Sequence, residues 1–184
     1  MKHFEQNIQC FRIFPTAIPI QLNGCVNFGD KHSKMRVVLQ RVSEASVTVN
    51  QEKIAAIGKG YLVLLGVEEN DDKSDTEWLV NKILNLRIFS DEGGKMNLNL
   101  GDVDGELLVV SQFTLHAKTK KGNRPSFIHA AQPEKAKALY EEFIELAKNL
   151  SGKTVQSGEF GADMKVALIN DGPVTICIDT KNKE

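Results

Sequence analysis

The pattern of apolar and polar positions predicts that the chain after residue 34 consists mainly of short β-strands. Apolar residues alternate with polar ones or run together, and turn-forming residues separate these segments. The run at 61–67 is continuously apolar, which favours a strand that is buried on both faces. The predicted strands are 36–42, 45–49, 54–57, 61–67, 87–89, 106–115, 164–169 and 174–179.

Two segments carry apolar residues at helical spacing. The first is predicted at 71–86, where Ser74 and Glu77 have the spacing of a capping box. Its predicted buried stripe consists of Leu79, Ile83 and Leu86. The second begins at Pro133, because proline is favoured in the first helical turn, and ends near Leu150. Its predicted inward face consists of Leu139, Tyr140, Phe143, Ile144 and Ala147.

Strands separate the two helices, and the sequence contains neither a βαβ repeat nor a phosphate-binding loop. We therefore expect an α+β fold: a curved, barrel-like mixed β-sheet with the two helices packed on its outside.

Composition is that of a soluble globular protein of 184 residues, with 41% hydrophobic and 26% charged residues. No apolar run approaches the roughly 20 residues of a membrane span, so we expect no membrane partner. The net charge is −1, so any contact with RNA must be local. The cysteines Cys10, Cys25 and Cys177 lack metal-ligand spacing, and we interpret them as reduced thiols of a cytoplasmic protein without metal or cofactor.

Residues 1–34 follow neither the strand nor the helix period. We expect an N-terminal tail that is disordered, or a start codon placed upstream of the one at Met35. A transit peptide would be richer in arginine and serine and poorer in acidic residues. Residues 35–184 are predicted to form the folded domain.

The segment 170–175 reads Asn-Asp-Gly-Pro-Val-Thr and lies between two β-rich apolar runs. Its composition predicts a tight hairpin turn between two strands. The peptide bond before Pro173 can be cis at a cost of about 0.5–1 kcal/mol. In that geometry the carbonyls of Gly172 and Pro173 would form a rigid pair of acceptors that no side chain blocks.

The strand predicted at 106–115 ends in the stretch Ser-Gln-Phe-Thr-Leu at 111–115. Alternation places Gln112, Thr114 and His116 on one face, which raises the idea of a Thr114 nucleophile with His116 as its base. Neighbours on one face of a strand have Cβ atoms nearly 7 Å apart, so His116 reaches Thr114 only if the strand bends. The alternative is a strand end whose hydroxyl groups bond to nearby backbone.

A basic loop follows this stretch. Its cationic residues are Lys118, Lys120, Lys121 and Arg124. Glycine and asparagine between them suit a mobile loop that grips phosphates, although a merely solvated loop has the same composition. His129, which follows, is interpreted as a structural or surface histidine.

Three stretches, at 111–115, 122–127 and 170–175, resemble in order and spacing the D-aminoacyl-tRNA deacylases. The resemblance covers residues 35–180, and the tail has no counterpart. Asp171 stands where the family often has asparagine. The resemblance implies a homodimer that hydrolyses the ester between a D-amino acid, or glycine, and the 3′ end of tRNA, with the active sites at the subunit interface.

The resemblance implies that the peptide bond between Gly172 and Pro173 is cis. It also implies that this motif of one subunit enters the active site of the other subunit as a chiral filter. Arg41 matches the arginine that holds the filter. The pocket for the terminal adenosine and the ester is implied to consist of Ser111, Gln112, Phe113 and Thr114. The backbone N–H of Phe113 would bind the developing oxyanion, and the 2′-hydroxyl of the RNA would activate water.

Two other functions remain open on the residues alone. One is a threonine or serine hydrolase of small esters, which needs a base near Thr114 or Ser111. The other is a non-catalytic RNA-binding module in which the basic loop grips RNA and the Gly172–Pro173 turn is only structural.

Overall fold

The computed structural model describes residues 35–183, so the expectations for residues 1–34 lie outside the described residues. In the described part there are eight strands, two α-helices and one 3₁₀ helix. The strands are β1 (Arg36–Val49), β2 (Glu52–Ile57), β3 (Gly60–Gly66), β4 (Phe89–Ser90), β5 (Met96–Leu98), β6 (Glu106–Ser111), β7 (Val155–Ser157) and β8 (Met164–Asp179). The helices are α1 (Lys73–Asn85), α2 (Pro133–Ser151) and the 3₁₀ helix Phe113–His116.

β1 is the central element of the sheet. Along one edge it pairs antiparallel with β3 and then with β2, and along the other edge it pairs antiparallel with β8. β6 pairs parallel with β3, and β7 pairs parallel with β6. β4 and β5 form a separate two-stranded ribbon. The predicted α+β fold, a barrel-like mixed sheet with two helices, is therefore confirmed.

Two predicted pairs of short strands are each one long strand. The segments 36–42 and 45–49 form β1, and the segments 164–169 and 174–179 form β8. The predicted hairpin at 170–175 is therefore wrong. Both halves of β8 pair with the same strand, β1, so the chain continues in one direction through the motif and does not reverse.

Apolar side chains form two clusters, one on each face of the sheet. In β3, Tyr61 and Val63 belong to the cluster beneath the helices, whereas Leu62 belongs to the second cluster. The predicted burial of this strand on both faces is thus confirmed. At Gly60 a Cβ atom would lie 1.9 Å from the carbonyl oxygen of Glu106, so only glycine allows β3 and β6 to approach this closely.

The predicted apolar face is confirmed in full for α2 and in part for α1, where Leu79 and Ile83 are buried but Leu86 lies after the end of the helix and is half-buried. α1 begins at Lys73 rather than residue 71, and its capping box is formed by Asp72 and Asp75, not by Ser74 and Glu77. The Asp72 carboxylate accepts from the N–H of Ser74 at 2.8 Å, because Asp72 stands one residue before the first helical turn. Pro133 opens α2 as predicted, and all five residues predicted for its inward face are buried.

In the part of the chain that the structure describes, no helix has both the length and the apolar character needed to cross a membrane.

Candidate functional site

A cavity of about 680 Å³ opens where β6 ends. Three segments that are distant in sequence enclose it: residues after β6, the first turn of α2, and the segment before and at the start of β8. Among its lining residues are Ser111, Gln112, Phe113, Phe127, Tyr140 and Phe160. Three of the four residues predicted for the pocket therefore line one cavity.

Gln112 ends the strand that the sequence predicted to continue to residue 115. β6 stops at Ser111, and the backbone N–H of Gln112 donates to the carbonyl of Leu65 at 2.7 Å. The N–H of Leu115 then donates to the carbonyl of Gln112 at 3.2 Å, which turns the chain into the 3₁₀ helix. The prediction that the alternation of a strand continues beyond Ser111 is therefore wrong. Since these residues follow a 3₁₀ helix instead, strand alternation does not place Gln112, Thr114 and His116 on one face.

Thr114 is exposed and does not line the cavity. Its hydroxyl oxygen accepts a hydrogen bond from the Gln112 side-chain amide at 2.5 Å. His116 is 3% exposed, and burial lowers the pKa of its imidazole below the ordinary value. Among the described residues, no hydrogen bond joins His116 to Thr114, and the imidazole Nε2 has no partner. The contacts therefore give no support to a Thr114–His116 pair.

Phe113 stands at the mouth of the cavity. Its side chain is 58% exposed, and its ring packs edge-to-face on that of Phe127 with 5.0 Å between centroids. Because Phe113 is the first residue of the 3₁₀ helix, its backbone N–H has no acceptor within that helix. The turn thus combines an exposed aromatic residue with a backbone N–H that has no acceptor within the helix.

Tyr140 supports the cavity from beneath. Its hydroxyl lies 2.9 Å from the carbonyl oxygen of Val109 and 3.1 Å from that of Gly158. Burial raises the pKa of Tyr140 to about 12. The sequence predicted that Tyr140 faces inward, but no local pattern indicated that it, Phe127 and Phe160 meet around one cavity.

The segment 170–175 forms a bulge in β8. Gln40 pairs with Thr175 and Val42 pairs with Asn170, so four residues of β8 lie opposite the single residue Arg41. The peptide bond between Gly172 and Pro173 is cis, and both residues are exposed. The Asn170 side chain spans the bulge by accepting from the N–H of Val174 at 2.9 Å.

Arg41 lies against this bulge and is only 7% exposed. Its guanidinium donates to the carbonyl of Asp171 at 3.0 Å and to the carbonyl of Ile88 at 2.5 Å. At Gly172 the φ angle is +125°, and a Cβ atom would lie 2.7 Å from Nη2 of Arg41. Glycine is therefore required here both by the backbone conformation and by the guanidinium.

Within one chain, the bulge does not line the cavity. Val166 is the last residue of β8 that lines the cavity. Gly172 lies six residues further along the same strand, which corresponds to roughly 20 Å. Gly172, Pro173 and Arg41 do not line the cavity that contains Ser111. The predicted site residues thus form two separate groups.

The predicted basic loop is closed as a hairpin. The backbones of Lys118 and Ser126 bond to each other in both directions, at 2.8 and 3.1 Å. All four of its cationic side chains, those of Lys118, Lys120, Lys121 and Arg124, are exposed. His129 lies 3.8 Å from the buried Glu68 carboxylate, which fits a structural histidine.

Comparison with known proteins gives a consistent result. The family model described as D-Tyr-tRNA(Tyr) deacylase matches residues 38–179. A Bacteroides fragilis (strain YCH46) protein named D-aminoacyl-tRNA deacylase is 61% identical over 150 residues, which cover 82% of this chain and 100% of the relative. A Flavobacterium psychrophilum protein of the same name is 59% identical over the same shares.

Two solved structures are also similar. A c-Myc DNA unwinding element binding protein has a TM-score of 0.74 and 46% identity, with 78% of this chain and 97% of that chain covered. A probable eukaryotic D-amino acid tRNA deacylase has a TM-score of 0.68 and 22% identity, with 79% and 99% covered, and at this identity it shows the fold alone. The match to the family model and the relatives that are about 60% identical together establish that the chain belongs to the D-Tyr-tRNA(Tyr) deacylase family.

Proposed function

We propose that the protein hydrolyses the ester bond between a D-amino acid and the 3′ end of tRNA, and that it also releases glycine from mischarged tRNA. The names of relatives that share about 60% of the sequence support the action on D-aminoacyl-tRNA. The observation that carries it is the cavity at the 3₁₀ turn, where an aromatic side chain and a backbone donor meet. These groups suit a terminal nucleoside and a developing oxyanion.

The active form is proposed to be a homodimer with its active sites at the subunit interface. The bulge at Gly172–Pro173 is exposed, and it lies roughly 20 Å along β8 from the cavity of its own chain. In a two-fold dimer each surface meets its counterpart twice, so one contact can seat both bulges in both cavities.

Gly172 and Pro173 are proposed to act as the chiral filter. Their carbonyl groups would accept the α-ammonium group of the substrate, and the backbone would leave no room for an L side chain. Glycine has no side chain to exclude, so it passes. Arg41 would hold the filter, since its guanidinium contacts the carbonyl of Asp171 and packs against Gly172.

Chemistry at the ester is proposed to use water rather than a protein nucleophile. The Phe113 N–H would stabilise the oxyanion, while Ser111 and Gln112 line the pocket beside it. The Thr114 hydroxyl accepts from Gln112 and has no base as a partner among the described residues. The 2′-hydroxyl of the terminal ribose is therefore assigned the role of activating water.

Binding of many tRNAs requires contacts that do not read bases. The exposed basic loop with Lys118, Lys120, Lys121 and Arg124 is proposed to contact tRNA phosphates. With such a substrate, the protein is proposed to act in the cytoplasm.

One assay tests this function against the alternatives. The protein is incubated with D-tyrosyl-tRNA, L-tyrosyl-tRNA and glycyl-tRNA, and the free amino acid is measured. We expect release from the D-tyrosyl and glycyl substrates only, and a large loss of rate when the terminal 2′-hydroxyl is replaced by hydrogen. Release that is independent of this hydroxyl would favour the threonine or serine hydrolase, and binding without release would favour the RNA-binding module.

A further inference from the structure

A second groove, of about 490 Å³, lies between α1, the first residues of β1 and the carboxyl-terminal half of β8. We call it the Trp78 groove. The residues that matter for its chemistry are Arg36, Trp78, Lys82, Leu115, Cys177 and Lys183.

The Trp78 groove concentrates positive charge on a protein whose net charge is −1. Three cationic side chains and one carboxylate line it. That carboxylate, on Asp179, is bonded to Arg36 at 3.0 Å. Lys82 and Lys183 are exposed, and within residues 35–183 neither has a carboxylate partner. The surplus charge is therefore carried by these two lysines.

Both lysines converge on one aromatic ring. The Nζ atom of Lys183 lies 4.6 Å from the centroid of Trp78, and that of Lys82 lies 5.8 Å from it. Two like charges at one ring repel each other, so an anion placed between them would be stabilised. Positive side chains beside a flat aromatic surface are the combination that binds single-stranded nucleic acid, through phosphates and stacked bases.

The groove adjoins the 3₁₀ turn of the cavity. Arg36 donates to the carbonyl of Leu115 at 2.9 Å, and Leu115 lines the groove. Phe113, two residues earlier in the same 3₁₀ helix, lines the cavity. Two residues of such a helix span about 4 Å along its axis. The cavity and the groove therefore share this 3₁₀ helix as a common wall, and a nucleic acid whose last residue enters the cavity has the groove within reach.

We propose that the Trp78 groove binds the nucleotides that precede the 3′ end of the tRNA substrate. Lys82 and Lys183 bind their phosphates, and Trp78 stacks against a base. This inference rests on the proposed deacylase function, because it states where the RNA part of that substrate lies. It assigns binding, not chemistry, to the groove.

The kinetic test compares two substrates, D-tyrosyl-tRNA and D-tyrosyl-adenosine, which lacks the preceding nucleotides. The variant carries both Lys82→Ala and Lys183→Ala. We expect its KM for D-tyrosyl-tRNA to rise on the order of tenfold with little change in kcat. The slope of log(kcat/KM) against log salt should become shallower by about 1.4, the value for two phosphates of a single strand. Activity on D-tyrosyl-adenosine should not change.

The matched control is Lys53→Ala. Lys53 is also an exposed lysine, but it lies on β2, which pairs with the opposite end of β1 from the groove. We expect its KM and salt dependence to equal those of the parent. Equal melting temperatures of all three proteins would exclude a folding effect.

Trp78 gives an independent readout because it is the only tryptophan in the chain. Uncharged tRNA should quench its fluorescence in the parent and in Lys53→Ala, and higher concentrations should be needed in the double-lysine variant. Exposed Cys177 lies in the same groove, so bound tRNA should also slow its alkylation in a Cys10→Ser, Cys25→Ser background.

Unchanged Trp78 emission at saturating tRNA, together with equal KM values for the double-lysine variant and the control, would overturn the groove assignment. Failure of the proposed function looks different, because the parent would then release no amino acid from either substrate. In that case the fluorescence titration still decides whether the groove binds RNA.

Discussion

The cavity and the bulge are built in opposite ways. Side chains from β6, α2 and the start of β8 enclose the cavity, and these segments are distant in sequence. The bulge is six consecutive residues, and its exposed part is backbone held by Arg41 and Asn170. The cavity can thus bind by shape and aromatic contact, whereas the bulge offers fixed carbonyl groups.

Under the proposed function, neither region is a complete site by itself. The cavity encloses a volume of about 680 Å³. The bulge is exposed and encloses nothing, but Arg41 and Asn170 hold its backbone in place. Because roughly 20 Å of β8 separates the two within a chain, the proposed dimer is what joins them.

The largest effect is expected for Phe113→Pro, which removes the proposed oxyanion donor of the cavity. Proline is tolerated at the first position of a helix, and Gln112 before it is not helical, with φ −143° and ψ 78°. We expect kcat for D-tyrosyl-tRNA to fall by about 10²–10³. Phe113→Ala, which keeps the N–H and replaces an exposed ring, is the control and should lose much less. Equal losses in both variants would assign the effect to the ring.

A large loss of discrimination between D- and L-tyrosyl-tRNA is also expected for Gly172→Ala, because the new Cβ would lie 2.7 Å from Nη2 of Arg41. Gly152→Ala is the control, since its φ of +59° is strained for alanine but no atom lies within 4 Å. Only the Gly172 variant should lose discrimination between D- and L-tyrosyl-tRNA. If it discriminates as well as the parent, Gly172 is not part of the filter.

Mixing these variants tests whether the two regions meet across a dimer. After unfolding and refolding an equal mixture of Phe113→Pro and Gly172→Ala chains, half of the dimers should be mixed, each with one intact site. We expect the mixture to regain about a quarter of the parent activity. No gain over the separate variants would contradict a site shared between subunits.

A small effect is expected for Thr114→Ala. The Thr114 hydroxyl only accepts from the Gln112 amide, so its loss should cost about 1 kcal/mol, less than tenfold in kcat. Single-turnover hydrolysis of D-tyrosyl-tRNA measures this. A loss of nearly the whole rate enhancement would instead establish a threonine nucleophile.

The smallest effect is expected on the pH dependence of stability, through the two tyrosines of the chain. One of them lies beneath each region. Tyr140 supports the cavity, and Tyr61 pairs with Arg41 beneath the bulge. Burial raises the pKa of both above the ordinary value of 10.0, that of Tyr140 to about 12. Their contribution to stability is therefore complete below pH 10 and is lost as the pH rises through the folded pKa values.

Absorbance at 295 nm checks this. The native protein should form no tyrosinate near pH 10, whereas the chain in guanidinium chloride should titrate there. Tyr140→Phe should remove the step near pH 12. A native step near pH 10 would show that one of the hydroxyl groups is solvated.

Much of the fold could be predicted because it follows from local patterns. The inward face of α2 was predicted in full, since its five residues recur at helical spacing. The continuous apolar run in β3 predicted a strand buried on both faces. The family motifs predicted which residues belong to a site, including Arg41, and these roles stay predictions.

Errors arose where a distant partner overrides the local pattern. Turn-forming residues at 170–175 predicted a hairpin, yet pairing of both flanks with β1 keeps the chain extended through a bulge. Alternation predicted a strand to residue 115, yet the bond from Gln112 to Leu65 and the bond from Leu115 to Gln112 turn it into a 3₁₀ helix.

The sequence by itself determined most of the elements and the apolar faces that bury them, because residues a few positions apart encode these features. Only the tertiary structure decided that three segments enclose a cavity and that the bulge does not line it. It also brought Lys82 and Lys183 to the same tryptophan ring. Such placements depend on pairing between strands and helices that are far apart in the chain, and no local period records that pairing.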